Sequence, residues 1–234
     1  MDKLRQELSA LRVDRALDIA TRDGAFAREM LLGLGACREM TALDISAKAF
    51  DKGREKCQGL PVVFVEGDAC AMTYPDGYFD LVAVANSLHH IPDLQGLFSE
   101  MRRVVKPGGL MLISEMYNDG QPDASRTHWI LHSLDCDMNT ADGIYHEQTY
   151  SRAQILWMVK NAGFTVEKTL CDKIEDPRVV AKLRERIDAV PGNLKKYEGR
   201  QGYVPMAAKA DWLREEYAAC GVASAEQLVV FARR

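Results

Sequence analysis

The most constraining feature of this sequence is an alternation of short apolar segments with amphipathic segments over residues 15–115. The segments between the apolar ones repeat apolar residues at helical spacing, as over Leu94–Val105. Largely apolar strands alternating with such helices are typical of a parallel sheet covered on both faces. We therefore predict an α/β fold with a Rossmann-like, doubly wound sheet. Its first five strands are Arg15–Ala20, Met40–Asp44, Pro61–Val65, Phe79–Ala85 and Leu110–Ser114.

Two stretches interrupt this alternation, at about 116–148 and 174–222. The first is polar, and the second is predicted to form two helices around a middle that contains Pro191-Gly192, Gly199 and Gly202. We predict one domain over residues 1–234, with both stretches as insertions that cover the active site. The remaining predicted elements are a short amphipathic helix over residues 2–12, a helix at about 151–162, and strands at Phe164–Leu170 and Gln227–Ala232.

Polar or glycine residues follow four successive predicted strands, at the edge where such sheets bind ligands. The turn Ala20–Gly24 would let backbone N–H groups approach a ligand. Asp44 ends the second strand and could accept hydrogen bonds from both hydroxyls of a ribose. Asp68 follows the third strand and could meet an adenine amino group, and Asn86 follows the fourth. Each signal is weak alone, but an ordered set of four indicates a nucleotide-type ligand.

This ordered set resembles the class I S-adenosylmethionine-dependent methyltransferases of the small-molecule type. The resemblance covers roughly residues 15–115 and implies S-adenosylmethionine as cofactor, a small-molecule methyl acceptor, and an antiparallel last strand placed between strands five and six. The matching segments are Ala16–Ala20 with Gly24, Thr41–Ser46, Glu66–Ala69, Phe79–Val82, Ser87–Asp93 and Leu97–Gly109.

The resemblance also implies which residues contact the cofactor. Residues matching Ala20 and Gly24 lie against the methionine part in the family, and Asn86 matches a contact at the methionine end. Asp44 matches the ribose contact, and Asp68 matches an adenine contact. The full set implied is Ala20, Thr21, Arg22, Gly24, Asp44, Ile45, Asp68, Ala69 and Asn86.

One departure from the family pattern concerns the turn after the first strand. The family carries Gly-x-Gly-x-Gly there, and this chain has Ala20, Arg22 and Gly24 at the three glycine positions. Arg22 could extend into solvent, pair with the carboxylate of the cofactor, or close the site. The last outcome would favour a non-catalytic binding protein built on the methyltransferase fold.

Methyl transfer from a sulfonium is an in-line displacement, so alignment and exclusion of water are the main tasks of the protein. A general base is required only when the acceptor carries a proton. The sequence offers His90, His132 and His146 as candidate bases, with Glu115 as a further one, and does not choose among them.

The polar stretch at 116–148 also contains a permissible set of metal ligands. His128 and His132 would share a helix face, and Asp135, Asp137 and His146 follow. Contact with the substrate and a solvated surface are the alternatives for these side chains.

Composition argues against several other classes of protein. The net charge is −4 without a basic stripe, which disfavours nucleic acid as substrate. No apolar run approaches the roughly 20 residues of a membrane span, so a cytoplasmic protein is expected. Six scattered cysteines give no zinc motif. A nicotinamide-dependent oxidoreductase is the rival enzyme class, but its Gly-x-Gly-x-x-Gly turn is missing. The oligomeric state stays open.

Overall fold

The computed structural model describes all residues, 1–234, and divides into two compact units. The first, here called the sheet unit, comprises Met1–Glu115, Ala153–Asp172 and Leu228–Arg234. The second, the helical unit, comprises Met116–Arg152 and Lys173–Gln227. The segments that interrupt the sequence alternation thus form a compact unit of their own. That they cover the active site stays a prediction.

The elements follow one another in the order that the sequence patterns predict. In chain order they are α1 (Asp2–Leu8), β1 (Arg12–Ile19), α2 (Ala25–Gly33), β2 (Ala36–Asp44), α3 (Phe50–Lys56), β3 (Val62–Glu66), β4 (Phe79–Ala85), α4 (Leu94–Val104), β5 (Val105–Met116), α5 (Asp123–Ala141), α6 (Arg152–Asn161), β6 (Thr165–Asp172), α7 (Pro177–Leu194), α8 (Tyr203–Cys220) and β7 (Gln227–Arg233). Short 3-10 turns lie at Ala47–Ala49, Leu88–His90 and Lys195–Tyr197.

The seven strands form one sheet in the order β3-β2-β1-β4-β5-β7-β6. Strands β1 to β5 pair in parallel. Arg234, at the end of β7, exchanges backbone hydrogen bonds with Gly108 and Gly109 near the start of β5, so β7 runs antiparallel to β5. The predicted fold class is therefore confirmed, including the antiparallel last strand between strands five and six.

The central strands are buried because helices cover the sheet. In β1 the residues from Ala16 to Ile19 are fully buried, as are Leu81–Val84 in β4. Leu4 and Leu8 of α1 and Met30 of α2 pack into the same apolar core. Burial of these two strands on both faces explains why their sequences are apolar without alternation.

Several predicted strand starts in the sheet unit are wrong. β1 begins at Arg12 rather than Arg15, and β2 at Ala36 rather than Met40. β5 begins at Val105 rather than Leu110, directly after α4 ends at Val104, so Pro107-Gly108-Gly109 lies within the strand. The backbone of Gly108 and Gly109 is engaged by Arg234, and this pairing with the end of the chain holds the segment in the sheet. The paired residues lie far apart in the sequence, so local pattern gave no sign of the interaction.

The helical unit is built around α5, α7 and α8, which share an apolar core. The two helices predicted for the second insertion are present as α7 and α8, with Gly199 and Gly202 between them. The break does not begin at Pro191-Gly192, because α7 continues through Pro191 to Leu194. Val190 and Leu194 are both buried in this core, and their packing holds the helix together on either side of the proline. No helix of the protein is long and apolar enough to cross a membrane.

Candidate functional site

The turn after β1 has an unusual backbone conformation. Ala20, Arg22 and Gly24 all have positive φ, at 55°, 51° and 68°. A non-glycine residue in this left-handed region costs roughly 1–2 kcal/mol. The chain thus keeps the left-handed conformation at all three positions of the family's glycines, although only one of them is glycine.

Gly24 is the position in this turn where a side chain does not fit. A Cβ atom there would lie 2.7 Å from Cζ of Phe64 and 3.2 Å from Sγ of Cys57. The backbone N–H of Gly24 donates to the carbonyl of Thr21 at 2.9 Å, which tightens the turn. Close packing and positive φ together require glycine here.

Asp44 is held at the end of β2 by two backbone donors. The N–H of Arg22 donates to Oδ2 at 2.8 Å, and the N–H of Ser46 donates to Oδ1 at 3.0 Å. The carboxylate is half-buried. Each carboxylate oxygen has a second lone pair. Asp44 is thus oriented by the main chain and can still accept two hydrogen bonds from a diol.

Asp18 lies beneath the same turn and is fully buried. The hydroxyl of Thr21 donates to its Oδ2 at 2.6 Å. Burial, with a smaller contribution from the charge of Asp44, raises the pKa of Asp18 to about 7. The turn is therefore hydrogen-bonded, through Thr21, to a buried carboxyl group that keeps its proton up to nearly neutral pH.

The predicted cofactor contacts Ile45, Asp68 and Ala69 lie beyond β2 and β3. Ile45 follows Asp44 and is 72% exposed, which leaves an apolar surface beside the carboxylate. Asp68 is exposed, and its Oδ1 accepts the N–H of Cys70 at 2.8 Å. Ala69, which lies between Asp68 and Cys70 in the sequence, is half-buried. An exposed isoleucine beside a fixed acid suits a flat ring attached to a ribose.

The ends of β4 and β5 are joined by hydrogen bonds around Asn86. Asn86 has a φ of 47°, and its N–H donates to the carbonyl of Ser114 at 2.9 Å. Glu115, only 1% exposed, accepts the N–H groups of Ser87 and Leu88 through Oε1, at 2.7 and 3.0 Å. These contacts fix the segment after β4 against the end of β5.

A buried histidine faces the other oxygen of Glu115. Nδ1 of His89 lies 3.4 Å from Oε2, and His89 is 2% exposed. His90, the neighbour predicted as a candidate base, is exposed. Sequence reasoning gave Glu115 little weight and did not select His89; an acid that directly ends an apolar strand was the available signal.

Three of the five predicted metal ligands in the helical unit have other partners. The rings of His132 and His146 lie 5.1 Å apart, whereas Nδ1 of His128 accepts the N–H of Ala225 at 2.9 Å. Burial lowers the pKa of His128 to about 4. Asp135 pairs with Arg186, and Asp137 pairs with Lys209. Of the five side chains, the structure engages His128 and both acids with other partners.

The fold and this edge of the sheet define a class of protein. A family model described as a methyltransferase domain matches residues 17–113, the stretch that contains the end of β1, the turn, Asp44 and most of β5. Residues 17–113 are therefore similar to a methyltransferase domain.

Individual proteins extend this comparison. A ubiquinone/menaquinone biosynthesis C-methyltransferase of Stutzerimonas stutzeri (strain A1501) is 36% identical over 114 residues, which are 47% of this chain and 44% of that one. The chain thus spans less than half the length of this relative. The crystal structure of a Bacillus halodurans C-125 protein assigned to the methyltransferases has a TM-score of 0.65 at 19% identity, with 99% of this chain and 97% of that chain covered.

A third similar protein was crystallised with ligands. Phosphoethanolamine N-methyltransferase 2 of Haemonchus contortus, in complex with phosphomonomethylethanolamine and S-adenosylhomocysteine, has a TM-score of 0.57 at 20% identity. The match covers 97% of this chain and 50% of that one. At this identity the comparison supports the fold.

Proposed function

We propose that this protein transfers a methyl group from S-adenosylmethionine to a small molecule. The observation that carries the proposal is the fixed carboxylate of Asp44, held by the N–H groups of Arg22 and Ser46. An acid oriented in this way at the end of the second strand suits the two hydroxyls of a ribose. The turn beside it has positive φ at Ala20, Arg22 and Gly24, which would let main chain approach the rest of the ligand.

The remaining contacts follow from the positions of the residues around this acid. The apolar surface of Ile45, with Asp68 and Ala69, would hold the adenine ring. The turn from Ala20 to Gly24 would take the methionine part, together with Asn86. The side chain of Arg22 is exposed, which supports a cofactor site that this arginine leaves open.

The acceptor is proposed to be a small molecule methylated at carbon. The support is the similarity of residues in the methyltransferase domain to a C-methyltransferase of quinone biosynthesis. A carbon nucleophile attacks the methyl group in line with the departing sulfur. The sulfonium is already a good leaving group, so the protein lowers the barrier mainly by aligning the reactants.

Incubation with methyl-labelled S-adenosylmethionine and a small-molecule extract tests this function. We expect label in an extractable small molecule with the wild type, and much less with Asp44→Ala. A folded wild-type protein that binds the cofactor but labels no small molecule would contradict the proposal.

A further inference from the structure

We propose that His132 and His146 bind a divalent transition-metal ion in the helical unit, and that this ion keeps open positions for a donor atom of a small molecule. Both histidines lie outside the set of residues proposed to hold S-adenosylmethionine. The inference therefore goes beyond the proposed function and does not rest on it. It is carried by the geometry of the two side chains and by the contacts that hold them.

The first support is the distance between the two imidazole rings. The centroids of His132 and His146 lie 5.1 Å apart, with the ring planes inclined by 68°, and a ring nitrogen of one lies within 4.8 Å of a ring nitrogen of the other. Two imidazole nitrogens that bind one tetrahedral ion at about 2.0–2.1 Å are about 3.4 Å apart. The pair is thus at most about 1.4 Å from the separation that a shared ion requires, which small changes in side-chain torsion angles supply.

The second support is the set of contacts that orients His146. Nδ1 of His146 and the side-chain amide of Asn139 form a 2.7 Å hydrogen bond, and the hydroxyl of Thr140 donates to the carbonyl of His146 at 3.3 Å. A polar partner on the second ring nitrogen is the usual arrangement around a metal-bound histidine. When Nε2 binds an ion, Nδ1 carries the proton, and a half-turn of the amide group of Asn139 lets its oxygen accept that proton.

The third support is the attachment of the segment after α5 to the helix that carries His132. Nε1 of Trp129 donates to the hydroxyl of Thr149 at 3.1 Å. The hydroxyl of Ser133 donates to Oε1 of Gln148 at 2.7 Å, and Nε2 of Gln148 donates to the carbonyl of Ser133 at 3.1 Å. The two histidines therefore lie on one hydrogen-bonded frame, so that few torsional degrees of freedom are lost when an ion binds.

The chemistry of the two ligands selects the kind of ion. Imidazole suits zinc, copper, nickel and iron, whereas Mg²⁺ and Ca²⁺ prefer the oxygens of carboxylates and water. Two acids on the same helix are engaged elsewhere, because Asp135 pairs with Arg186 and Asp137 pairs with Lys209. Two histidines leave two positions of a tetrahedral ion for water or for a donor atom of a small molecule. The site therefore suits an ion such as Zn²⁺ with open coordination.

Titration of the metal-free full chain with Zn²⁺ and with Co²⁺ tests the site. Calorimetry should show one ion of either kind bound per chain. Bound Co²⁺ should absorb visible light without the near-ultraviolet bands of cobalt thiolates, because its ligands are nitrogen and oxygen rather than any of the six cysteines. The affinity should fall ten-fold or more in His132→Gln and in His146→Gln, since each substitution removes one of the two protein ligands.

The matched control is His128→Gln, which removes a histidine from the same helix, one turn before His132. Nδ1 of His128 accepts the N–H of Ala225, so this variant should bind both ions as the wild type does. Absence of binding by the wild type, an unchanged affinity in either His132→Gln or His146→Gln, equal weakening in His128→Gln, or cobalt thiolate absorption would overturn the site.

X-ray absorption at the zinc edge of the wild-type protein gives a result that needs no variant, which keeps the test decisive if a substitution prevents folding. We expect at least two imidazole ligands and no sulfur. Fewer than two imidazoles, or any sulfur, would overturn the site.

Azide tests the open positions. Added to the Co²⁺-loaded protein, it should change the visible absorption, because it replaces water on the ion. An unchanged spectrum would overturn the open coordination. None of these measurements involves S-adenosylmethionine, so failure of the metal site would leave the proposed function standing, and failure to bind the cofactor would leave the metal site standing.

Discussion

The backbone N–H of Arg22 donates a 2.8 Å hydrogen bond to the carboxylate of Asp44. The residue that departs from the family's glycine pattern therefore contributes to the site through its main chain, while its side chain is exposed. Any residue except proline can supply this donor, provided that its φ is positive. The bond links the turn after β1 to the acid after β2, and the predictions for this turn depend on it.

Removal of the Asp44 carboxylate should weaken cofactor binding. The variant Asp44→Ala deletes a charged acceptor, which costs roughly 1.5–3 kcal/mol. We expect the affinity for S-adenosylhomocysteine, measured by calorimetry, to fall ten-fold or more. Asp51→Ala is the control, because Asp51 is an exposed acid in the same unit. Equal affinities in the two variants would refute the ribose contact.

The substitution Arg22→Gly should change cofactor affinity by less than ten-fold. Glycine keeps the N–H that Asp44 accepts, and an exposed side chain does not close the turn. The free energy of unfolding should rise by at most about 1 kcal/mol, because glycine adopts positive φ without strain. Calorimetry with S-adenosylmethionine measures the affinity. A gain of ten-fold or more would mean that Arg22 obstructs the site.

The substitution Gly24→Ala should destabilise the protein through both strain and a clash. Positive φ alone costs roughly 1–3 kcal/mol for a side chain, and the contact with Phe64 adds to it. Gly59→Ala is the matched control, because Gly59 has a φ of 81° and a Cβ atom added there would meet nothing within 4 Å. Urea unfolding should show a larger loss for Gly24→Ala. A smaller or equal loss would mean that packing at this turn is loose.

Asp18 should make stability depend on pH. The unfolded chain releases this proton near the ordinary pKa of 3.8, whereas the folded protein holds it to about 7. The unfolded state therefore binds fewer protons between these values, and the free energy of unfolding falls by up to about 1.4 kcal/mol per pH unit as pH rises. Above the folded pKa this contribution is fully lost.

The variant Asp18→Asn isolates this effect, because an amide oxygen can still accept the hydroxyl of Thr21. Urea unfolding at about pH 5 and pH 8 should show that the wild type loses more stability than Asp18→Asn, by about 2 kcal/mol. Parallel pH profiles for the two proteins would show that the carboxyl of Asp18 is ionised throughout.

The sheet could be predicted from sequence because its central strands are buried on both faces, which makes the buried parts of β1 and β4 mostly apolar. The start of β5 and the end of α7 could not. The backbone of Gly108 and Gly109 is hydrogen-bonded to Arg234. Pro191 lies within α7, whose residues Val190 and Leu194 pack into the core of the helical unit. In each case a tertiary contact overrides the local preference of proline and glycine.

Part of the candidate site could be proposed from sequence. Asp44 was proposed as the ribose contact because an acid after the second strand has a recognisable spacing from Gly24, and this role stays a prediction. The pairing of Glu115 with His89 was not found, because it joins residues from two strand ends that lie 26 positions apart in the sequence. Only their burial and mutual distance single them out from other acids and histidines.

The central claim is that this edge of the sheet binds S-adenosylmethionine, and calorimetric titration of the wild-type protein tests it most directly. S-adenosylmethionine and S-adenosylhomocysteine should each bind saturably at one site per chain, and NAD should not compete. Either ligand should also raise the unfolding temperature by mass action. Absence of binding to a folded protein, or preferential binding of NAD, would contradict the account.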